Sequence, residues 1–202
     1  MRRSLLWRAL QTPARILTTL FFGLKVYGLK NVPREGGVVL ASNHQSNLDP
    51  ILIAVRLRRP VSFMAKSELF ENPYFGWLIR SLHAFPVRQG QGDLAAIRQT
   101  LQRLEEGYAL NVYPEGHRTL DGEMLPLQRG IALILKKADV PVIPVAIDGS
   151  FQAWPKGRKF PRAHQIKLIY GKSIHFKGMH ADDILELLHS TLGSLLKELR
   201  EK

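Results

Sequence analysis

From Gly37 onward the chain alternates between short runs of apolar, β-branched residues and longer amphipathic runs, and few architectures accept that rhythm. GVVLAS (37–42), VSFMAK (61–66), YALNVYPEG (108–116, running into a turn) and PVIPVAI (141–147) read as strands, with AFPVR (84–88) short and extended. PILIAVRL (50–57), NPYFGWLIRSLH (72–83), GDLAAIRQTLQRLEEG (92–107) and RGIALILKKADV (129–140) carry helical spacing, the first opened by Asp49 and Pro50 and the third closed by glycine. Strands separated by helices predict an α/β fold with a mostly parallel sheet flanked by helices. HQIKLIYGKSIHF (164–176) adds one or two strands, and residues 181–200 a C-terminal amphipathic helix. With 202 residues, the chain is expected to form a single α/β domain over 29–202.

Residues 1–28 are set apart. Leu6, Leu10, Leu17, Phe21 and Leu24 share one helical face, while Arg8, Gln11, Arg15 and Thr18 recur on the other, and Pro13 kinks or divides the segment. A basic amphipathic segment with Trp7 near its start predicts a membrane-anchoring helix lying in the interface, although a helix packed on its own domain would show the same periodicity. The apolar stretch from Ile16 to Leu24 is far short of the roughly 20 residues that span a bilayer.

Charge narrows the partners. The chain carries 29 Lys and Arg against 17 Asp and Glu, a net charge of +12, which suits a polyanionic partner: nucleic acid, an anionic membrane surface, or a phosphorylated or carboxylated ligand. Two stretches, 1–34 and 149–181, hold seven basic residues each and no acid. Aromatic residues are not interleaved with the basic runs as base-stacking platforms would be, so no nucleic acid is expected. The absence of cysteine excludes thiolate nucleophiles and Cys-type zinc sites.

In a largely parallel sheet, ligands gather outside the carboxyl ends of the strands. Three polar loops fall there: NHQSNLD after the first strand, FPVRQG at the third and YPEGHRT after the fourth. His44 and Asp49 lie five apart and would face about 140° away from each other in a regular helix, so a loop must bend between them to pair them. Once paired, the acid fixes the tautomer and the imidazole becomes a general base; the alternative is that Asp49 only caps the helix at Pro50. Ser46 lacks the glycine-flanked elbow of a serine nucleophile and reads as a loop residue. A base without a nucleophile must activate a hydroxyl on the substrate. Arg88 and Arg118 offer guanidinium forks for phosphate oxygens, and Glu115 with Gly116 allows close backbone approach beside a carboxylate. A metal hydrolase using His44, Asp49, Glu115 and His117 is the rival chemistry, but no paired-histidine spacing favours it.

NHQSNLD resembles the NHxSxxD signature of the glycerophospholipid acyltransferases. FPVR, YPEGHRT and VPVIPVAI follow in the order of that family's later motifs, over roughly residues 30–150, and AKSELF (65–70) and LQRGIALIL (127–135) resemble its intervening segments. The resemblance implies that His44 is the catalytic base, oriented by Asp49. It implies a glycerol phosphate site formed by Arg88, Glu115, Gly116 and Arg118, assisted by Lys66, with Pro144 and its strand shaping the acyl side. The reaction implied is transfer of a fatty acyl group from acyl-CoA or acyl-carrier protein to the free hydroxyl of 1-acylglycerol 3-phosphate, giving phosphatidic acid, with an N–H near the loop holding the oxyanion. His117 and Thr119 stand where the family's EGTRS motif has threonine and serine, which leaves glycerol 3-phosphate, another lysophospholipid or an amino-lipid open as acceptor. No cofactor or metal is expected, and the implied location is the cytoplasmic face of the inner or plasma membrane, peripheral or monotopic. A non-catalytic basic membrane scaffold is the remaining alternative.

Overall fold

Fully buried strands form the centre of the molecule: every residue of Val38–Ser42 and of Ala109–Val112 is buried. The computed structural model describes residues 5–87 and 94–202. In chain order its elements are α1 (Leu5–Phe22), β1 (Lys25–Tyr27), β2 (Val38–Ser42), α2 (Asp49–Val55), β3 (Val61–Lys66), α3 (Pro73–Ser81), β4 (Ala84–Val87), α4 (Leu94–Glu105), β5 (Ala109–Val112), α5 (Arg129–Ala138), β6 (Val142–Asp148), α6 (Ser150–Ala153), β7 (Lys167–Tyr170) and α7 (Ala181–Glu201). Short 3-10 turns cover Leu29–Asn31 and Ser67–Phe70. The strands form one seven-stranded sheet in the order β1-β7-β6-β2-β5-β3-β4. Every pairing is parallel except β6 with β7, so the expected mostly parallel α/β sheet is what the chain forms.

Helices cover both faces. Trp7, Leu52, Ile53, Ile143 and Ile147 belong to the core on one face, under α1 and α2; Leu104, Ile131, Leu135, Leu188 and Leu192 belong to the core on the other, under α4, α5 and α7. The chain therefore leaves β2 over one face towards β3, and leaves β5 over the opposite face towards β6. Between the carboxyl ends of β2 and β5 the winding reverses, which opens the crevice where α/β sheets bind ligands.

The boundary expected at residue 28 falls inside this fold. β1 is a strand of the sheet, pairing with β7, and Trp7, Phe22 and Leu24 are part of the main core, so residues 5–28 are an integral layer of the domain. The faces of α1 also differ from expectation. Trp7, Gln11, Ala14, Thr18 and Phe22, within roughly 80° on the helical wheel, face the domain. Gln11 is satisfied there by donating from Nε2 to the carbonyls of Val55 and Leu57 at 3.2 and 2.7 Å, and Thr18 Oγ1 donates to Ala14 O within the helix. The second apolar stripe, Leu10, Ile16, Leu17, Leu20 and Phe21, is left in the open, Leu20 at 81% exposure. Pro13 lies inside one continuous helix.

Candidate active site

The site begins as an extension of β2. Asn43, just past the strand, pairs its side chain with the backbone of Ile147, Nδ2 donating to the carbonyl at 2.9 Å and Oδ1 accepting from the N–H at 2.8 Å. That anchor carries the chain into the loop with His44 held at the mouth of the crevice. His44 Nδ1 lies 2.8 Å from Asp49 Oδ2, and the same oxygen accepts from the N–H groups of Gln45 at 2.7 Å and Ser46 at 2.8 Å. The loop thus folds round one carboxylate oxygen, which is how two residues five apart come together. Asp49 is fully buried. It opens α2 without capping it: its partners precede the helix, and the first helical N–H groups of Ile51 and Leu52 bond to Leu48 O instead.

With Nδ1–H donating to a carboxylate, Nε2 carries the lone pair. Among the described residues nothing hydrogen-bonds to Nε2. The His44 ring is stacked on Tyr113, centroids 3.7 Å apart and planes at 14°, so both the rotation and the plane of the imidazole are fixed. Burial raises the Tyr113 phenol well above its ordinary value, with the Asp49 charge acting in the same direction.

The loop after β5 holds the His44 peptide from both ends. Glu115 Oε1 accepts from His44 N–H at 2.8 Å, and His44 O accepts from Thr119 N–H at 2.9 Å. Glu115 Oε2 accepts from Leu125 N–H at 2.6 Å, so the carboxylate bridges three segments. It is buried, and burial pushes its carboxyl up to about 7 against the opposing pull of the two backbone N–H groups. Glu115 was expected among groups touching glycerol phosphate; both its oxygens instead serve backbone, making it a positioning residue. Gly116 has φ +75°, a left-handed turn in which a Cβ would stand 3.0 Å from Gln128 Cγ, so glycine suits the position for conformational reasons. Arg118 Nη1 donates to Asn47 Oδ1 at 2.8 Å, placing the guanidinium on the His44 loop.

Lys66 ends β3 at the same carboxyl edge, exposed. Pro144 is buried within β6, in register with Ala41, its carbonyl accepting from Gly171 N–H at 2.8 Å. Its lost N–H is harmless because the β6–β7 ladder starts at the next residue, Val145. Arg88, and the expected start of the helix at 92, lie outside the described residues. Ser46 is buried, its Oγ donating to Trp154 O at 2.8 Å and accepting from Leu48 N–H, so that oxygen is engaged in the loop. Among the described residues no group of three His, Asp or Glu side chains is placed to hold a metal ion.

An imidazole held by a buried acid, a loop that pins its backbone and an adjacent guanidinium are parts that a group-transfer site needs. The family model described as Acyltransferase matches residues 23–148, spanning the whole arrangement. The chain belongs to the acyltransferase family. It is 31% identical, over 93% of its length and 94% of the relative's, to a 1-acyl-sn-glycerol-3-phosphate acyltransferase of Bacillus subtilis (strain 168). It is 32% identical to the protein of that name from Pseudomonas aeruginosa, over 85% of this chain and 67% of that one. In structure it matches the 1-acyl-sn-glycerophosphate acyltransferase PlsC of Thermotoga maritima with a TM-score of 0.82 at 27% identity, covering 96% of this chain and 80% of the other.

For an acyltransferase, the residues the sequence did not single out are supporting ones. Asn43 and Tyr113 act on His44 through packing and backbone contacts. Gln45 donates from Nε2 to Gly122 O at 2.9 Å and joins the loop to the turn after Thr119. The only signal that could have flagged Tyr113 is its place directly before the proline of YPEG, at the end of a strand neighbouring the histidine loop.

Proposed function

We propose that this acyltransferase moves a fatty acyl group from a thioester, acyl-CoA or acyl-carrier protein, to the free sn-2 hydroxyl of 1-acylglycerol 3-phosphate, producing phosphatidic acid. One observation carries the reading: His44 presents an unblocked Nε2 at the crevice between β2 and β5 while Asp49 takes Nδ1–H. The acceptor O–H breaks as its proton passes to Nε2, and the oxygen bonds to the thioester carbonyl carbon. The C–S bond then breaks, and the thiolate recovers the proton from the imidazolium, which Asp49 stabilises meanwhile. No acyl-enzyme is required.

The acceptor phosphate is assigned to Arg118, on the loop after β5, and Lys66, the last residue of β3, because both strands end at the same edge; Arg88, next in sequence after β4, is proposed with them. The relatives' names support the lysophosphatidate acceptor. A lipid acceptor calls for a membrane surface, and the outward stripe of α1 supplies a contact for one. Among the described residues no helix is long and apolar enough to cross a membrane, so the docking proposed is peripheral. α3 adds exposed Tyr74, Phe75 and Trp77, aromatic types that favour the bilayer interface. The test is a thin-layer assay of labelled acyl-CoA and acyl-carrier protein against 1-acylglycerol 3-phosphate, glycerol 3-phosphate and other lysophospholipids. Labelled phosphatidic acid from lysophosphatidate alone is expected; preferred acylation of another acceptor overturns the assignment.

A further inference from the structure

A second cationic site lies at the amino edge of the sheet, away from His44. α2 begins beside His44 and ends at Val55, and the segment after it, Arg56 to Arg59, faces the turn that follows β1. Between them runs a groove of about 360 Å³ lined by Lys30, Arg34, Arg56 and Arg58, with Leu29 and Leu57 as apolar surface. The walls are fixed from behind. Arg59 is buried and donates to the carbonyls of Pro33, Gly36 and Gly107, so it is used up in shaping the loop. Gly28, at φ +69°, lets the turn pass so near Tyr170 that a Cβ would stand 2.1 Å from its carbonyl oxygen, and Asn31 Nδ2 donates to that same oxygen at 2.9 Å. Glu35 is the acid beside this loop, and its charge acts on Arg59.

The groove cations, by contrast, are not spent. Among the described residues Lys30, Arg34, Arg56 and Arg58 form no ion pair with a carboxylate. Arg56 has a buried Nε without a hydrogen-bond partner, while its Nη2 donates to Thr19 Oγ1 at 2.6 Å. That bond ties the groove to α1, one helical turn from exposed Ile16 and next to exposed Leu20. Four unpaired cations over an apolar lining, joined to an outward apolar stripe, complement an anion whose own body is apolar.

We propose that this groove binds the phosphate headgroup of an anionic bilayer lipid, apart from the acceptor phosphate at the active site. The occupant is a membrane lipid because the acyl chains attached to the phosphate can enter the bilayer contacted by α1. A carrier protein seated here would hold its thioester at the opposite edge of the sheet from Nε2. The inference rests on the proposed docking of α1, and the two are separable by experiment. Its consequence is that the enzyme sits more tightly on membranes rich in anionic lipid, its own product class included.

The full chain is sedimented with vesicles of phosphatidylcholine alone and of phosphatidylcholine containing phosphatidate. Binding to the neutral vesicles reads α1; the gain on adding phosphatidate reads the groove. The double variant Arg34→Gln/Arg58→Gln changes two exposed side chains, and Lys136→Gln/Lys137→Gln removes the same charge from the last turn of α5 on the other face of the sheet. With each near-surface cation contributing several-fold, the groove pair is expected to lose about tenfold of the phosphatidate gain. The α5 pair is expected to keep it, and both are expected to match wild type on neutral vesicles and in turnover of micellar acceptor. Equal loss in the two pairs, or none in the groove pair, overturns the site. A phosphatidate gain that needs the groove in a wild type lacking neutral-vesicle binding overturns the α1 reading alone.

Discussion

Replacing Asp49 by asparagine removes one charge and almost no volume, and the structure says where the new amide must point. Three donors converge on Oδ2: His44 Nδ1–H at 2.8 Å, Gln45 N–H at 2.7 Å and Ser46 N–H at 2.8 Å. Two of them are backbone groups that cannot turn round, so the amide oxygen takes the Oδ2 position and the NH₂ takes the place of Oδ1, which is buried and without a partner. The His44 tautomer is therefore retained, and what is lost is the attraction between carboxylate and imidazolium. With charge centres some 4 Å apart and an effective dielectric near 20, that attraction is about 4 kcal/mol, and the remaining amide dipole recovers part of it. A fall in kcat of about 10²- to 10³-fold follows, short of the ~10⁴-fold seen where asparagine imposes the wrong tautomer. An unsatisfied buried NH₂ costs about 1–3 kcal/mol of stability. The assay is kcat at saturating lysophosphatidate, with urea unfolding of the same preparation and circular dichroism to establish the fold. A kcat within about threefold of wild type in a folded variant would refute electrostatic support of His44, because the charge is the one property the substitution reliably removes.

Substitutions at four other positions probe the rest of the site and the α1 surface. Tyr113→Phe keeps the stacked ring and is expected to hold kcat within about twofold and stability within about 1 kcal/mol, whereas Tyr113→Leu is expected to lower kcat roughly tenfold with little change in KM; steady-state kinetics separate the two. Glu115, with its carboxyl raised to about 7, binds a proton in the folded protein that the unfolded chain gives up near pH 4.5. Its contribution to stability is thus complete below about pH 4.5 and declines as pH rises through 7, by an amount on the order of 3 kcal/mol. Urea midpoints across that window should fall less steeply for Glu115→Gln than for wild type, and parallel slopes would contradict the burial argument. Ser46→Ala loses the bond to Trp154 O and should cost about 1 kcal/mol in unfolding while turnover continues, and mass spectrometry of the working enzyme should find no acylated side chain. Leu17→Glu, on the exposed stripe of α1, should leave the unfolding midpoint within about 0.5 kcal/mol and abolish sedimentation with neutral vesicles.

Local order in the sequence determined more of this protein than its 202 residues might suggest. The alternation of strand and helix runs fixed a parallel sheet, because side-chain period is a property of neighbours in the chain. That sheet dictated which loops share an edge, and a five-residue interval was short enough to imply the His44–Asp49 pair. Tertiary structure decided what no local pattern records. Glu115 reaches His44 across 71 residues, and its task changed from ligand to positioning residue once both oxygens met backbone. Tyr113 reaches the imidazole only because β5 lies beside β2. α1 carries two apolar stripes, and periodicity cannot rank them. The domain took the one with Trp7 and Phe22, where the carbonyls of Val55 and Leu57 could satisfy Gln11, and left Leu17 and Leu20 outside. A spacing reports which residues face the same way; what they face depends on distant segments brought close by the fold.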